Sequence, residues 1–298
     1  MRVGTAESLH VSFQWGDLVE LAKPRITLMV LITTAAGAYM AAPATFSPLL
    51  VFGTLIATGC LAGAASAINQ VLEAESDALM VRTAHRPLAE GRLEKGPVLL
   101  ASLGATALAL AYLALRVNLL TAALGAITWA SYLFIYTPMK KHSPLSTLAG
   151  AVPGAVPPLM GWAATAGRLE PAAWVLFGLL FLWQIPHFLA IAWMYREDYE
   201  RGGIPVLPVI DRRGVVTAWC MVLFTVATLA VSLLPSLLGV GGATYSVLAL
   251  LFGAAFLMPT IGFAGRRTRV WARRVLLASV VYLPAVMIAM VWTYLPVG

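Results

Sequence analysis

Apolar runs of roughly 17 to 25 residues recur along almost the whole chain, and that is the length an α-helix needs to cross a bilayer. Nothing resembles the ten-residue alternation of a membrane β-barrel. Composition agrees: of 298 residues, 60% are hydrophobic and 11% charged, against about a quarter charged in soluble domains. The chain reads as an all-α integral membrane protein, one domain over residues 1–298. Spans are expected near residues 26–42, 48–72, 97–115, 119–136, 145–166, 171–194, 214–238, 245–263 and 274–294, nine transmembrane helices around a central cavity. Cys60 and Cys220 lie in separate apolar runs without CxxC spacing, so neither a disulfide framework nor covalent heme attachment is indicated.

The net charge of +7 would raise the question of nucleic acid in a soluble chain. Its placement answers that question. With the amino terminus cytoplasmic, the inner segments hold Arg2, Lys23, Arg25, Arg82, Arg86, Arg92, Lys95, Lys140 and Lys141. They also hold Arg196, Arg201, Arg212, Arg213, Arg266, Arg267, Arg269, Arg273 and Arg274. These are 18 of the 20 basic residues, leaving Arg116 and Arg168 outside. The inside-positive bias sets the amino terminus in and the carboxyl terminus out, with no nucleic-acid partner. Residues 1–22 form a cytoplasmic segment with neither a signal-peptide nor a transit-peptide pattern.

Polar chemistry collects first at residues 69–88, NQVLEAESDALMVRTAHRPL. Asn69, Glu73 and Asp77 recur every four residues, which brings three oxygen-bearing side chains onto one helix face. Unpaired acids at membrane depth cost at least about 2.5 kcal/mol each, so they persist where they line a wet cavity and hold a cation. Oxygen donors without nearby Cys or His suit Mg²⁺, which favours one or two carboxylates plus substrate phosphates. Arg82 and Arg86 follow at once, as a diphosphate requires. Lipid depth plus diphosphate points to a prenyl donor; the bland alternative is an acidic helix end pairing with its own basic loop.

A second polar site lies four spans later, at residues 194–214. Again a helix ends in acids, Glu197, Asp198 and Glu200, and runs into a basic loop bearing Gly202, Gly203, Pro205 and Pro208. The recurrence makes a weak internal repeat of the kind that places two half-sites across one cavity. Between the two, Tyr136 and Lys140 end span 4, able to meet phosphate oxygens or simply to serve, with Lys141, as topology signals. Prolines at 153, 157 and 158 should break span 5, which is tolerated where a helix faces a cavity. His187 stands inside span 6, either a functional group or a histidine hydrogen-bonded to a neighbouring helix.

Together these stretches resemble the UbiA superfamily of intramembrane prenyltransferases. The resemblance rests on nine spans and two acid-ended helices, the first reading Asn69-xxx-Glu73-xxx-Asp77. More narrowly, the chain is similar to the protoheme IX farnesyltransferase (heme O synthase) branch. That likeness rests on Met80, Arg82-Thr83, Arg86-Pro87-Leu88 and the Tyr-Thr-Pro-Met-Lys-Lys run from 136. It also uses Trp183-Gln184-x-Pro186-His187-Phe188, Glu197-Asp198-Tyr199, Gly203-Ile204-Pro205 and Leu207-Pro208. The usual second DxxxD is absent, because Gly202 falls four residues after Asp198, and the central acid of the first motif is Glu73 rather than Asp.

The resemblance implies a Mg²⁺-dependent farnesyl transfer from farnesyl diphosphate to a vinyl group of heme B, giving heme O for heme-copper oxidases. It assigns catalysis to Asn69, Glu73, Asp77 and Asp198, with metal held by these four and Glu197. Diphosphate would be held by Arg82, Arg86, Tyr136, Lys140 and Arg201, and heme by His187. It places the active site toward the cytoplasm of a prokaryotic inner membrane, in contact with lipid. It is compatible with a homo-oligomer and with contact to a downstream heme-modifying enzyme. The competing readings are an aromatic quinone-precursor acceptor and a non-catalytic heme carrier.

Overall fold

A computed structural model describes residues 15–41 and 47–293, and among these every regular element is helical. A short helix α1, Trp15–Leu21, precedes α2, Pro24–Ala41, and α3, Pro48–Ala78. Then come α4, Lys95–Val117, and α5, Leu119–Met139. Two ten-residue helices follow, α6, Ser146–Ala155, and α7, Pro157–Ala166. Next are α8, Pro171–Met194, and the short α9, Arg196–Arg201, and α10, Leu207–Ile210. The chain closes with α11, Val215–Leu237, α12, Ala243–Arg266, and α13, Arg269–Trp292. Residues 1–14 of the expected amino-terminal segment, and the outer ends of the first and ninth expected spans, fall outside the described residues.

Eight of these helices are long and apolar enough to cross a membrane. The remaining expected span, 145–166, is the broken pair α6 and α7. Pro153 stays inside α6, and the chain breaks at Val156 before Pro157 and Pro158. A proline removes a backbone donor and crowds the preceding turn, so two in succession end one helix and start the next.

The helix starts follow local chemistry. Pro24, Pro48, Pro157 and Pro171 occupy first helical positions, where a missing N–H leaves no bond unmade. Ser47 and Asn118 cap α3 and α5 by accepting from the amides of Leu50 and Thr121. Inside the helices, buried Thr34, Thr54, Thr106 and Thr225 donate to carbonyls one turn back, which satisfies their hydroxyls where water is absent.

Packing is tightest where α2 meets α7. A Cβ on Gly37 would fall 2.1 Å from the carbonyl oxygen of Pro158, and one on Gly161 only 1.8 Å from that of Thr34. The two backbones touch, the small-residue packing that membrane helices use in place of a hydrophobic driving force. The other half-helix, α6, faces α8, where Gln184 donates to the Ala151 carbonyl at 3.3 Å and fills the space Gly154 leaves. The broken span thus ties the first part of the chain to the second.

Helix α3 decides where the chemistry sits. Its 31 residues extend about 46 Å, against a hydrocarbon core of about 30 Å. The expected span ended at residue 72, but the helix continues to Ala78 and carries Glu73 and Asp77 on that extension. Gly161→Ala should lower unfolding stability in detergent by about 1–3 kcal/mol, because the new methyl must separate two backbones. Gly104→Ala, in a helix with nothing within 4 Å of the added Cβ, should leave the melting temperature unchanged or raise it slightly.

Candidate active site

The carboxyl-terminal third of α3 buries Asn69, Glu73 and Asp77 to 1%, 5% and 2% exposure. Carboxylates so placed require partners, and each has one from a different segment. Lys140, just past the end of α5, donates to both Glu73 oxygens at 2.7 and 2.9 Å. Arg86, in the loop after α3, donates to Asp77 Oδ2 at 2.6 Å. Lys23, between α1 and α2, donates to Asn69 Oδ1 at 3.3 Å, and the Asn69 amide donates to Thr137 Oγ1 at 3.1 Å. The last turns of α5 widen into a π-helical segment, Ser131–Tyr136, a local distortion found often at functional sites. Its end stacks the Tyr136 ring beside the Lys140 ammonium at 5.1 Å. Gly150 makes room for that ring, since a Cβ there would lie 2.6 Å from Tyr136 Cε2.

The cluster brings three basic side chains, Lys23, Arg86 and Lys140, to two carboxylates. Burial pulls the Lys23 pKa down to about 7, helped by the nearby Arg86 and Lys140 charges and opposed by Glu73 and Asp77. Burial also disfavours the Lys140 ammonium, but Tyr136 and Glu73 outweigh it and hold its pKa above the usual lysine value. Lys23 also adopts a left-handed backbone, φ 45°, uncommon for a residue preceding proline. With Arg86 and Lys140 already paired to the two acids, an anion bound beside them would hold Lys23 in its charged form.

The second acid-ended helix reaches the same place through its aromatic residues. Arg82 lies over the rings of Tyr195 and Tyr199, 5.4 and 5.3 Å from their centroids, and donates to the Tyr199 hydroxyl at 3.2 Å. Met80 packs with Ile204 and Val206, and a Cβ on Gly202 would fall 2.9 Å from Met80 Cγ. The loop after α3 and the loop after α9 are interlocked. Asp198 is buried and ion-paired with Arg201.

Several expected roles need adjusting. Glu197 is exposed and lines a surface pocket with Arg196, Glu200 and Arg212, away from the α3 face. Among the described residues no three His, Cys, Asp or Glu side chains converge. Asn69, Glu73, Asp77 and Asp198 are instead each engaged by a protein cation. The expected alternative of an acidic helix end pairing with its own basic loop is present in Asp77 and Arg86. His187 sits apart from this cluster on α8. It shares a 2.8 Å hydrogen bond between its Nδ1 and Ser279 Oγ on α13, and its ring stacks on Trp183 at 4.9 Å. That leaves Nε2 as the ring nitrogen without a partner among the described residues.

Sequence reading missed Lys23 and Thr137 as parts of the cluster. Lys23 appeared only as a topology charge, and its signal was its place immediately before the proline that opens the first span. Thr137 carries no signal by itself.

The sequence profile of the UbiA prenyltransferase family matches residues 30–283, and the chain belongs to that family. It is 48% identical over 279 residues to the protoheme IX farnesyltransferase of Solibacter usitatus, covering 91% of this chain and 96% of that one. It is 42% identical to the protoheme IX farnesyltransferase of Koribacter versatilis, covering 90% of each. Among solved structures, a digeranylgeranylglyceryl phosphate synthase superposes with a TM-score of 0.79 at 17% identity, over 93% of this chain and 97% of that one. A UbiA homolog from Archaeoglobus fulgidus bound to GPP and Mg²⁺ gives 0.67 at 14% identity, over 92% and 99%.

Lys140→Met should destabilise the protein by about 3 kcal/mol, because Glu73 is left buried without its cation. The double variant Glu73→Gln, Lys140→Met should recover part of that loss in a thermal-unfolding double-mutant cycle. Additive losses would mean that the pair is not coupled.

Proposed function

We propose that this chain transfers the farnesyl group of farnesyl diphosphate to a vinyl group of heme B, giving heme O, at the cytoplasmic side of a bacterial inner membrane. The observation that carries the donor half is the convergence of three basic side chains, Lys23, Arg86 and Lys140, on a buried carboxylate face, with Lys23 able to take up a proton when an anion binds. A diphosphate is the anion that such a cluster suits. The heme acceptor rests on the 39 to 48% identity to proteins named for that reaction.

The residues fit a divalent ion. Asn69, Glu73 and Asp77 offer hard oxygens on one face, and their present partners are flexible cations that can turn to phosphate oxygens instead. Bound there, with Asp198 completing the set, Mg²⁺ would neutralise charge developing on the diphosphate. Arg86, Lys140 and Lys23 then hold the diphosphate oxygens, while Arg82, gripped by Tyr195 and Tyr199, keeps the second loop closed over it. Arg201, paired with Asp198, would follow it toward the same oxygens.

The allylic C–O bond breaks with its electron pair on the departing diphosphate. The apolar walls keep water from the farnesyl carbon until it bonds the terminal vinyl carbon. Water then adds to the cation left beside the porphyrin and gives up a proton, completing a hydroxyethylfarnesyl side chain. His187, through Nε2, would meet the heme iron or fix the macrocycle against Trp183.

Purified protein incubated with farnesyl diphosphate, Mg²⁺ and either heme B or hydroxybenzoate should add mass to heme alone, read by mass spectrometry. Farnesylated hydroxybenzoate would move the assignment to an aromatic acceptor. Heme binding without pyrophosphate release, surviving Asp77→Asn, would make the protein a carrier. Asp77→Asn and Glu73→Gln should each lower kcat by about 10²-fold or more. Lys23→Met should raise KM for farnesyl diphosphate, with Lys23→Arg retaining most of the affinity. His187→Ala should weaken heme binding and shift the Soret band without changing pyrophosphate affinity.

A further inference from the structure

A second charged surface lies outside the site. After Asp211 the sequence contains no Asp or Glu, yet it holds seven arginines and no lysine: Arg212, Arg213, Arg266, Arg267, Arg269, Arg273 and Arg274. The structure gathers them where two loops meet. Arg267, which ends the α12 cap in a left-handed conformation with φ 48°, donates through Nη1 to the Arg213 carbonyl at 3.5 Å. Arg266 and Arg274 both lie over the Trp271 ring, 5.0 and 4.4 Å from its centroid. Among the described residues only Arg212 has an acidic partner, Glu200 at 3.3 Å. Arg213, Arg269 and Arg273 are exposed, and their guanidiniums have no partner there.

Topology alone would be served by basic residues of either kind anywhere in these loops. Arginines alone, gathered from two loops without acids, have the planar donor geometry that phosphate takes. The patch is also continuous with lipid-facing surface: below it, α12 exposes Met258 and Ile261, and α13 exposes Leu277 and Val281. Trp271 marks the boundary between the two, where its amphipathic ring is at home. An occupant with an anionic head and an apolar tail fits both parts.

We propose that Arg213, Arg266, Arg267 and Arg274, gathered around Trp271, form a binding site for the phosphate headgroup of an anionic phospholipid. The inference rests on the membrane fold and is independent of the reaction assigned above. Each arginine near a membrane surface contributes about fivefold to attraction for anionic lipid.

The test is native mass spectrometry of the full-length protein in detergent with phosphatidylglycerol or phosphatidylcholine. The wild type should retain phosphatidylglycerol preferentially, and the triple variant Arg213→Gln, Arg266→Gln, Arg274→Gln should lose at least about tenfold of that retention. The matching triple lysine variant keeps the inside-positive charge, so it inserts even if the glutamine variant does not, and it should bind several-fold less well than wild type. Retention in the lysine variant equal to wild type would overturn a phosphate-shaped site, as would unchanged binding in the glutamine variant. Absence of any phosphatidylglycerol preference, as expected for a surface that docks an acidic protein, would also overturn it. Displacement of the lipid by equimolar glycerol 3-phosphate would reassign the patch to soluble phosphates.

Discussion

Two carboxylates on one helix, buried almost completely, govern how the rest of the chain can be arranged. Glu73 and Asp77 are tolerable only because Lys140 and Arg86 reach them from the end of α5 and from the loop after α3. Lys23 joins from before α2 through Asn69. Three separate stretches of sequence must therefore converge on one helix end, and the surrounding helices bring them there. The same convergence gathers three basic side chains at one place, so the requirement that stabilises the fold also prepares it for an anion.

Around the broken span the helices are held by close backbone approach, whereas α8, α12 and α13 meet through large rings such as Trp193 on Phe263 and Phe256 on Tyr282. Gly37 and Gly161 let α2 and α7 touch, and Gly150 lets the Tyr136 ring reach Lys140. The break between α6 and α7 lets one stretch of chain pack against both α2 and α8. Prolines that would destabilise a soluble helix act here as joints, because α2 and α8 cover both halves.

Much of this was legible in the sequence. The apolar runs gave the helical class, the prolines marked the broken span, and the four-residue spacing of Asn69, Glu73 and Asp77 put them on one face. The charges in the loops were found, but their pairings were not, since spacing along a chain says nothing of which loop lies over which helix end. That is why Lys23 looked like a topology signal alone, and why spacing did not separate Glu197 from Asp198. Lys23 is brought in by the turn after α1, while Glu197 is one residue from Asp198 and so points roughly 100° away around a short helix. His187 showed its depth in sequence but not its hydrogen bond, which depends on α13 lying beside α8.

The length of α3 has a consequence for direction. Because the helix is longer than a hydrocarbon layer is thick, a bilayer centred on its apolar part would leave the acids near the water boundary. Of the two products of a prenyl transfer at such a depth, the inorganic one is released into an aqueous phase that dilutes it. The prenylated one has gained a long alkenyl chain and stays in the lipid phase. Separation of the products into different phases disfavours the reverse reaction without any further device in the protein.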